Sequence, residues 1–213
     1  MVFSSEVINN LDLISLEFET IKGYVNFVIF SKDQLDEGQI GYSTNSKGQS
    51  LITEEEGSWN RNWIVIGYET MCGDPIIIDL NEEGYPVSSL LHGIGSWEGG
   101  TPLAASLDSF YNSLKDIGLF ISEEKIPEGN RKVQSTQLKE LVDNIVEKNS
   151  YVDFESWESL LSPLFDMANE YEKEIKLKIK EMADNGEKIS DIANSLGIQA
   201  KDVYKYMKEI KKR

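Results

Sequence analysis

The most regular pattern in the chain is a pair of apolar runs, "NWIVIGYE" and "PIIIDL", separated by "TMCGD". Both are nearly continuous in β-branched residues, which predicts strands covered on each face. Residues 63–67 and 76–80 are therefore read as central strands, with Trp63 packed at one end. Gly73 supplies the bend between them. Pro75 holds Asp74 extended and can open a strand, because only its own N–H is missing. Upstream, "VNFVIF" predicts a strand over residues 25–30, and residues 40–42 a shorter one. After the turn "NEEGYP", residues 87–91 predict a further strand. Residues 1–22 follow no pattern that predicts an element.

The spacing changes at "GGTPLAASLDSFYNSLKDIG". Leu103, Leu107, Phe110, Tyr111 and Leu114 recur at helical spacing on one face. Thr101 suits the N-cap, Pro102 the first helical position, and Gly118 a left-handed end. The charged stretch "ISEEKIPEGNRKVQST" reads as a connector. Beyond it the pattern is helical: about residues 136–148, about 153–161, then from Pro163, capped by Ser162, to about Asp184, where "DNGEK" breaks the helix. The reading is an α+β fold, a mostly antiparallel mixed sheet packed with helices and followed by an all-α C-terminal region. Residues 1–118 form the α+β domain, 119–162 a helical connector and 163–213 a helical tail.

The tail carries the most specific local pattern, "EKISDIANSLGIQAKDVYKYMKEIKKR", which resembles a helix-turn-helix. Ala193 is small where two helices must approach closely. Gly197 lies where the turn needs a positive φ, and Val203 points into the unit's core. Ile189, Ile192, Leu196, Ile198, Tyr206 and Ile210 complete the apolar set. Residues 200–210 would be the recognition helix, presenting Gln199, Lys201, Tyr204, Lys205 and Lys208 outward. Lys and Tyr contact phosphates, and Gln reads adenine edges. A three-helix packing module without nucleic acid fits the same pattern.

Charge changes this picture. The 213 residues carry a formal net charge of −16. From residue 171 onward basic residues outnumber acidic ones by three, which leaves −19 on the rest. An acidic body repels phosphate backbones and attracts basic proteins. No run approaches the length of a membrane span, no secretory signal is visible at "MVFSSEVINN", and a single cysteine forms no internal disulfide. These features point to a cytoplasmic protein.

Candidate chemistry is sparse. One His and one Cys exclude Cys/His zinc sites, and the acids lack the spacing of a calcium loop. Glu54, Glu55 and Glu56 read as a solvated loop, and neither metal nor cofactor is expected. His92 is the only imidazole, and no G-x-S-x-G elbow accompanies it. "GIGSWEGG" lacks the Lys and Ser/Thr of a phosphate loop. It does hold Trp97, read either as a partner anchor or as a ring folded back over the sheet.

Several features, taken in order, resemble the SUKH superfamily, the fold of Smi/Knr-type cell-wall regulators. They are Ile66-Gly67, Gly73-Asp74, Asp79, Pro86-Val87, a glycine-rich loop, and Ser106-Leu107 with Phe110. The resemblance covers roughly residues 27–117. Two departures stand out: residues 1–25 lack the usual N-terminal helix with its Leu-Pro and Asn-Gly-Gly steps, and Pro75 follows the Gly-Asp. Many bacterial members are immunity proteins that neutralise toxins, often nucleases. The resemblance thus implies a non-catalytic protein-binding role, immunity or regulatory, with a basic partner such as a toxin. Glu54, Glu55, Glu56, Trp97 and Glu98 are the expected contact face. A DNA-binding regulator acting through the tail is the alternative, and a hydrolase using acidic residues a third reading.

Overall fold

The first element is one that the sequence pattern did not predict. In a computed structural model, which describes residues 4–93, 95–97, 100–123 and 133–210, helix α1 spans Ser5–Ile21. Ser4 caps it by accepting a hydrogen bond from the Val7 N–H at 3.2 Å. Val7, Leu11, Ile14, Phe18 and Ile21 form its buried stripe. Burying one such side chain contributes roughly 1.5–3 kcal/mol, against a propensity cost of a few tenths for a β-branched residue. Packing therefore outweighs the weak helix propensity of Val7 and Ile14.

The sheet is a five-stranded meander in the order β1-β2-β3-β4-β5: Phe27–Ile29, Trp63–Glu69, Pro75–Asp79, Val87–Ser89 and Thr101–Ala104. All four pairings among the described residues are antiparallel. β3 begins at Pro75, and Gly73 takes φ 78° in the turn before it. Side chains alternate across the two central strands. Ile64, Ile66, Ile76 and Ile78 face a core shared with the helices, while Val65 and Ile77 face a smaller core with Trp59 and Leu90. Both faces are covered, as the continuous apolar runs predict.

Three local expectations need correction. Residues 40–42 form no strand: Glu37–Gln39 is a 3₁₀ turn, and Ile40 makes only an isolated bridge to Thr44. Thr101 and Pro102 do not start a helix. They belong to β5, where proline is tolerated because the strand lies at the sheet edge. Helix α2 begins later and spans Leu107–Glu123. Ser106 and Ser109 cap it reciprocally: each side-chain oxygen accepts the other's backbone N–H, at 3.0 and 2.9 Å. Gly118 does not end this helix. It lies inside α2 where α1 crosses, and a Cβ there would meet the Glu17 carboxylate at 2.5 Å.

Three of the remaining helices follow the predicted spans closely: α3 (Ser135–Glu147), α4 (Phe154–Leu160) and α7 (Ala200–Ile210); α6 spans Ile189–Leu196. Between α4 and α6, α5 runs Ser162–Asp184. Ser162 lies within α5 rather than capping it, and its hydroxyl bonds the Asn26 side-chain amide. Leu138, Val142 and Ile145 of α3 and Trp157 of α4 are buried in the same core as the sheet. At 23 residues α5 is about 35 Å long. Its first half enters that core through Leu164 and Ala168, and its second half enters a separate one through Ile175 and Ile179. No helix among the described residues is long and apolar enough to cross a membrane.

Candidate functional site

Two surfaces collect the residues singled out in the sequence. The first lies on the sheet face opposite α1 and α2, and it is built almost entirely from loops. After β1 the chain leaves the sheet, and the buried Gln39 side chain takes over where the strand stops. Its amide nitrogen donates to the Val65 carbonyl at 2.8 Å, and its amide oxygen accepts the Val65 N–H at 3.0 Å. A side chain thus extends the ladder and pins the loop layer to the central strand.

On this support sits a cluster of aromatic rings. Trp59 is fully buried and donates its indole N–H to the Trp63 carbonyl at 3.3 Å. Trp97 meets it edge-to-face, with centroids 5.0 Å apart at 82°. Tyr42 lies 5.5 Å from Trp59 and 5.7 Å from Trp97. The exposed His92 ring stacks on Trp97 at 5.9 Å. Edge-to-face packing of this kind suits the ring quadrupoles and adds roughly 0.5–1.5 kcal/mol per pair beyond area burial. Trp97 is half-buried and packs against the smaller core with Trp59, Val65, Ile77 and Leu90.

The acidic loop lies beside it. Trp97 donates its backbone N–H to the Gly57 carbonyl at 2.8 Å, which joins the tryptophan loop to the end of the Glu54–Glu55–Glu56 run. A Cβ on Gly57 would meet the Ser96 Cβ at 2.7 Å, and Gly57 has φ 78°, so only glycine fits this seam. Glu54, Glu55 and Glu56 are all exposed, and Glu54 pairs with Arg61 at 2.5 Å. Glu98 lies outside the described residues. Of the five residues expected on one contact face, the fold brings four together.

Behind the rings lies the β2–β3 turn. Both Glu69 carboxylate oxygens accept turn N–H groups, from Met71 and Cys72, at 2.7 Å each. Asp74 accepts the His92 backbone N–H at 2.7 Å. Cys72 is exposed, and its sulfur lies within 4.8 Å of carboxylate oxygens of Glu69 and Asp74. Turn N–H groups hold the Glu69 carboxylate, and the His92 backbone N–H, from the loop after β4, holds that of Asp74. Burial, with the nearby Asp74 charge second, raises the Tyr42 pKa, so its phenol stays neutral and donates to the Gly73 carbonyl at 3.2 Å.

The second surface is on the tail. Gly197 has φ 65° between α6 and α7, as the turn requires, and Ile192, Ala193 and Val203 are buried in the second core. Gln199, Lys201, Tyr204, Lys205 and Lys208 are all exposed. Lys176 of α5 ties the unit together: it pairs with Glu209 at 2.9 Å and Glu172 at 3.3 Å, and lies 5.1 Å from the Tyr206 ring centroid.

Trp59 and Gln39 are the residues that sequence reasoning missed. For Trp59 a signal existed in "GSWNRNW", two tryptophans four apart across a turn. For Gln39 there was none, because its role depends on where β1 stops.

In class, the chain is an α+β sheet domain with an aromatic, acid-rimmed loop face and a trihelical unit built on its longest described helix. No family model, no curated protein and no solved structure matches it.

Proposed function

We propose that the chain is a non-catalytic protein-binding domain, with an immunity or regulatory role of the kind the SUKH resemblance implies, and that its partner is a basic protein such as a toxin. The observation that carries this reading is the junction of Trp97 with the acidic loop through the Gly57 carbonyl. It sets a half-buried tryptophan, held by other rings, beside three exposed carboxylates. Rigid aromatic anchors supply most of the binding energy in protein interfaces, because little side-chain entropy is lost when they dock. A rim of like charge adds steering and selectivity for a partner of opposite sign. A helix at Ser5–Ile21 precedes the sheet, without the Leu-Pro and Asn-Gly-Gly steps of the family's N-terminal helix.

The test co-expresses the full chain with each member of a panel of basic nuclease-toxin domains. Growth protection and binding are then compared for the wild type, Trp97→Ala, and the combined Glu54→Lys, Glu55→Lys and Glu56→Lys variant. Both changes are expected to abolish protection while leaving the fold intact. Protection that survives both would overturn the proposal.

A further inference from the structure

We propose that α7 binds double-stranded DNA, a second activity carried by a surface separate from the loop face. The sequence pattern alone leaves the charge of this helix ambiguous, because Asp202 and Glu209 sit among its lysines. The packing separates them. Lys201, Tyr204, Lys205 and Lys208 fall at i, i+3, i+4 and i+7, so they form one stripe. The buried Val203 lies on the opposite side of the helix. Asp202 and Glu209 lie on the flank turned toward α5. Glu209 is held there by Lys176 at 2.9 Å, and Asp202 lines a cleft with Tyr171 and Glu172 of α5; the exposed Lys205 borders that cleft, 5.9 Å from the Tyr206 ring centroid, and so sits at the edge of the stripe nearest the acids. The outward stripe is therefore basic, and Lys208 lies 4.6 Å from the Tyr204 ring centroid.

The shape fits as well as the charge. From Lys201 to Lys208 the stripe is about 10 Å long at 1.5 Å per residue, and the major groove, about 12 Å wide, admits one helix. Gln199 is exposed just before α7, at the end of the recognition helix that enters a groove first. The acidic body opposes approach, but exposed charges beyond a Debye length of about 8 Å are largely screened at physiological salt. The stripe and its immediate flanks then decide contact.

The experiment measures fluorescence anisotropy of a labelled duplex with the full chain between 50 and 200 mM KCl. Unlabelled single strands of the same sequence serve as competitor. Three lysine–phosphate contacts predict a log–log salt slope of about −2.7, a loss of roughly 40-fold over that range. The combined Lys201→Ala, Lys205→Ala and Lys208→Ala variant should lose binding with an unchanged circular dichroism spectrum. Trp97→Ala should bind duplex as the wild type does, which separates this surface from the proposed protein-binding face. No duplex binding at 50 mM salt, binding that survives the triple change, or equal competition by single strands would each overturn the proposal.

Discussion

The side chain of Gln39 hydrogen-bonds both the N–H and the carbonyl of Val65, at 3.0 and 2.8 Å, inside a protein core. The contact replaces a strand pairing that β1 is too short to make. Gln39→Ala leaves both backbone groups buried without that partner, at a cost of roughly 1–3 kcal/mol each. Urea denaturation should show a lower midpoint, with the loop face affected first.

Gly67 lies one register step from the bulge in β2. A Cβ there would sit 2.0 Å from the Val28 carbonyl oxygen, which is backbone and cannot swing away. Gly67→Ala must push β1 off β2, and an overpacked core of this kind typically loses about 1–3 kcal/mol. Thermal unfolding should report the loss. At Gly118 the nearest atom is the flexible end of Glu17, so alanine there should cost less.

Trp59 and Trp97 touch edge-to-face but should behave differently on truncation. Trp59 is 2% exposed, and its removal opens a large cavity, with an expected loss of about 3–5 kcal/mol. Trp97 is half-buried, so Trp97→Ala should cost less in stability and more in partner affinity, about 2 kcal/mol or above for an interface anchor. Chemical denaturation of both variants, paired with partner titration of Trp97→Ala, separates the two roles.

The trihelical unit should weaken in alkali. Burial raises the pKa of Tyr171 and Tyr206 above the usual 10.0, and the Glu209 hydrogen bond raises that of Lys176 above 10.5. In each case the folded state holds its proton more tightly than the unfolded chain. The stabilisation is complete below the unfolded values and is lost as pH rises through the folded ones. Melting temperature should therefore fall from pH 9 to pH 11, and Tyr206→Phe should fall less steeply. Indistinguishable slopes would contradict the assignment.

How far the sequence reaches differs by element. β2 and β3 were legible because both faces are covered and their apolar runs are unbroken. The α6–α7 turn was legible because a left-handed residue demands Gly197. α1 was not, although its buried positions follow helical spacing, because exposed Leu13 and Leu16 blur the stripe. Thr101-Pro102 imitates a helix start, and only the pairing with β4 reveals a strand. Of the candidate site, the residue types were legible. That Gly57 joins Glu54–Glu56 to Trp97, and that Trp59 and Gln39 support both, depends on contacts between loops far apart in the chain.

The most direct measurement of the central claim is isothermal titration of the chain with the basic toxin domain against which it protects, for the wild type and Trp97→Ala. The account predicts tight binding by the wild type and a loss of at least about 30-fold, the factor that 2 kcal/mol corresponds to, for a variant that remains folded. Equal affinity of the two proteins would contradict it.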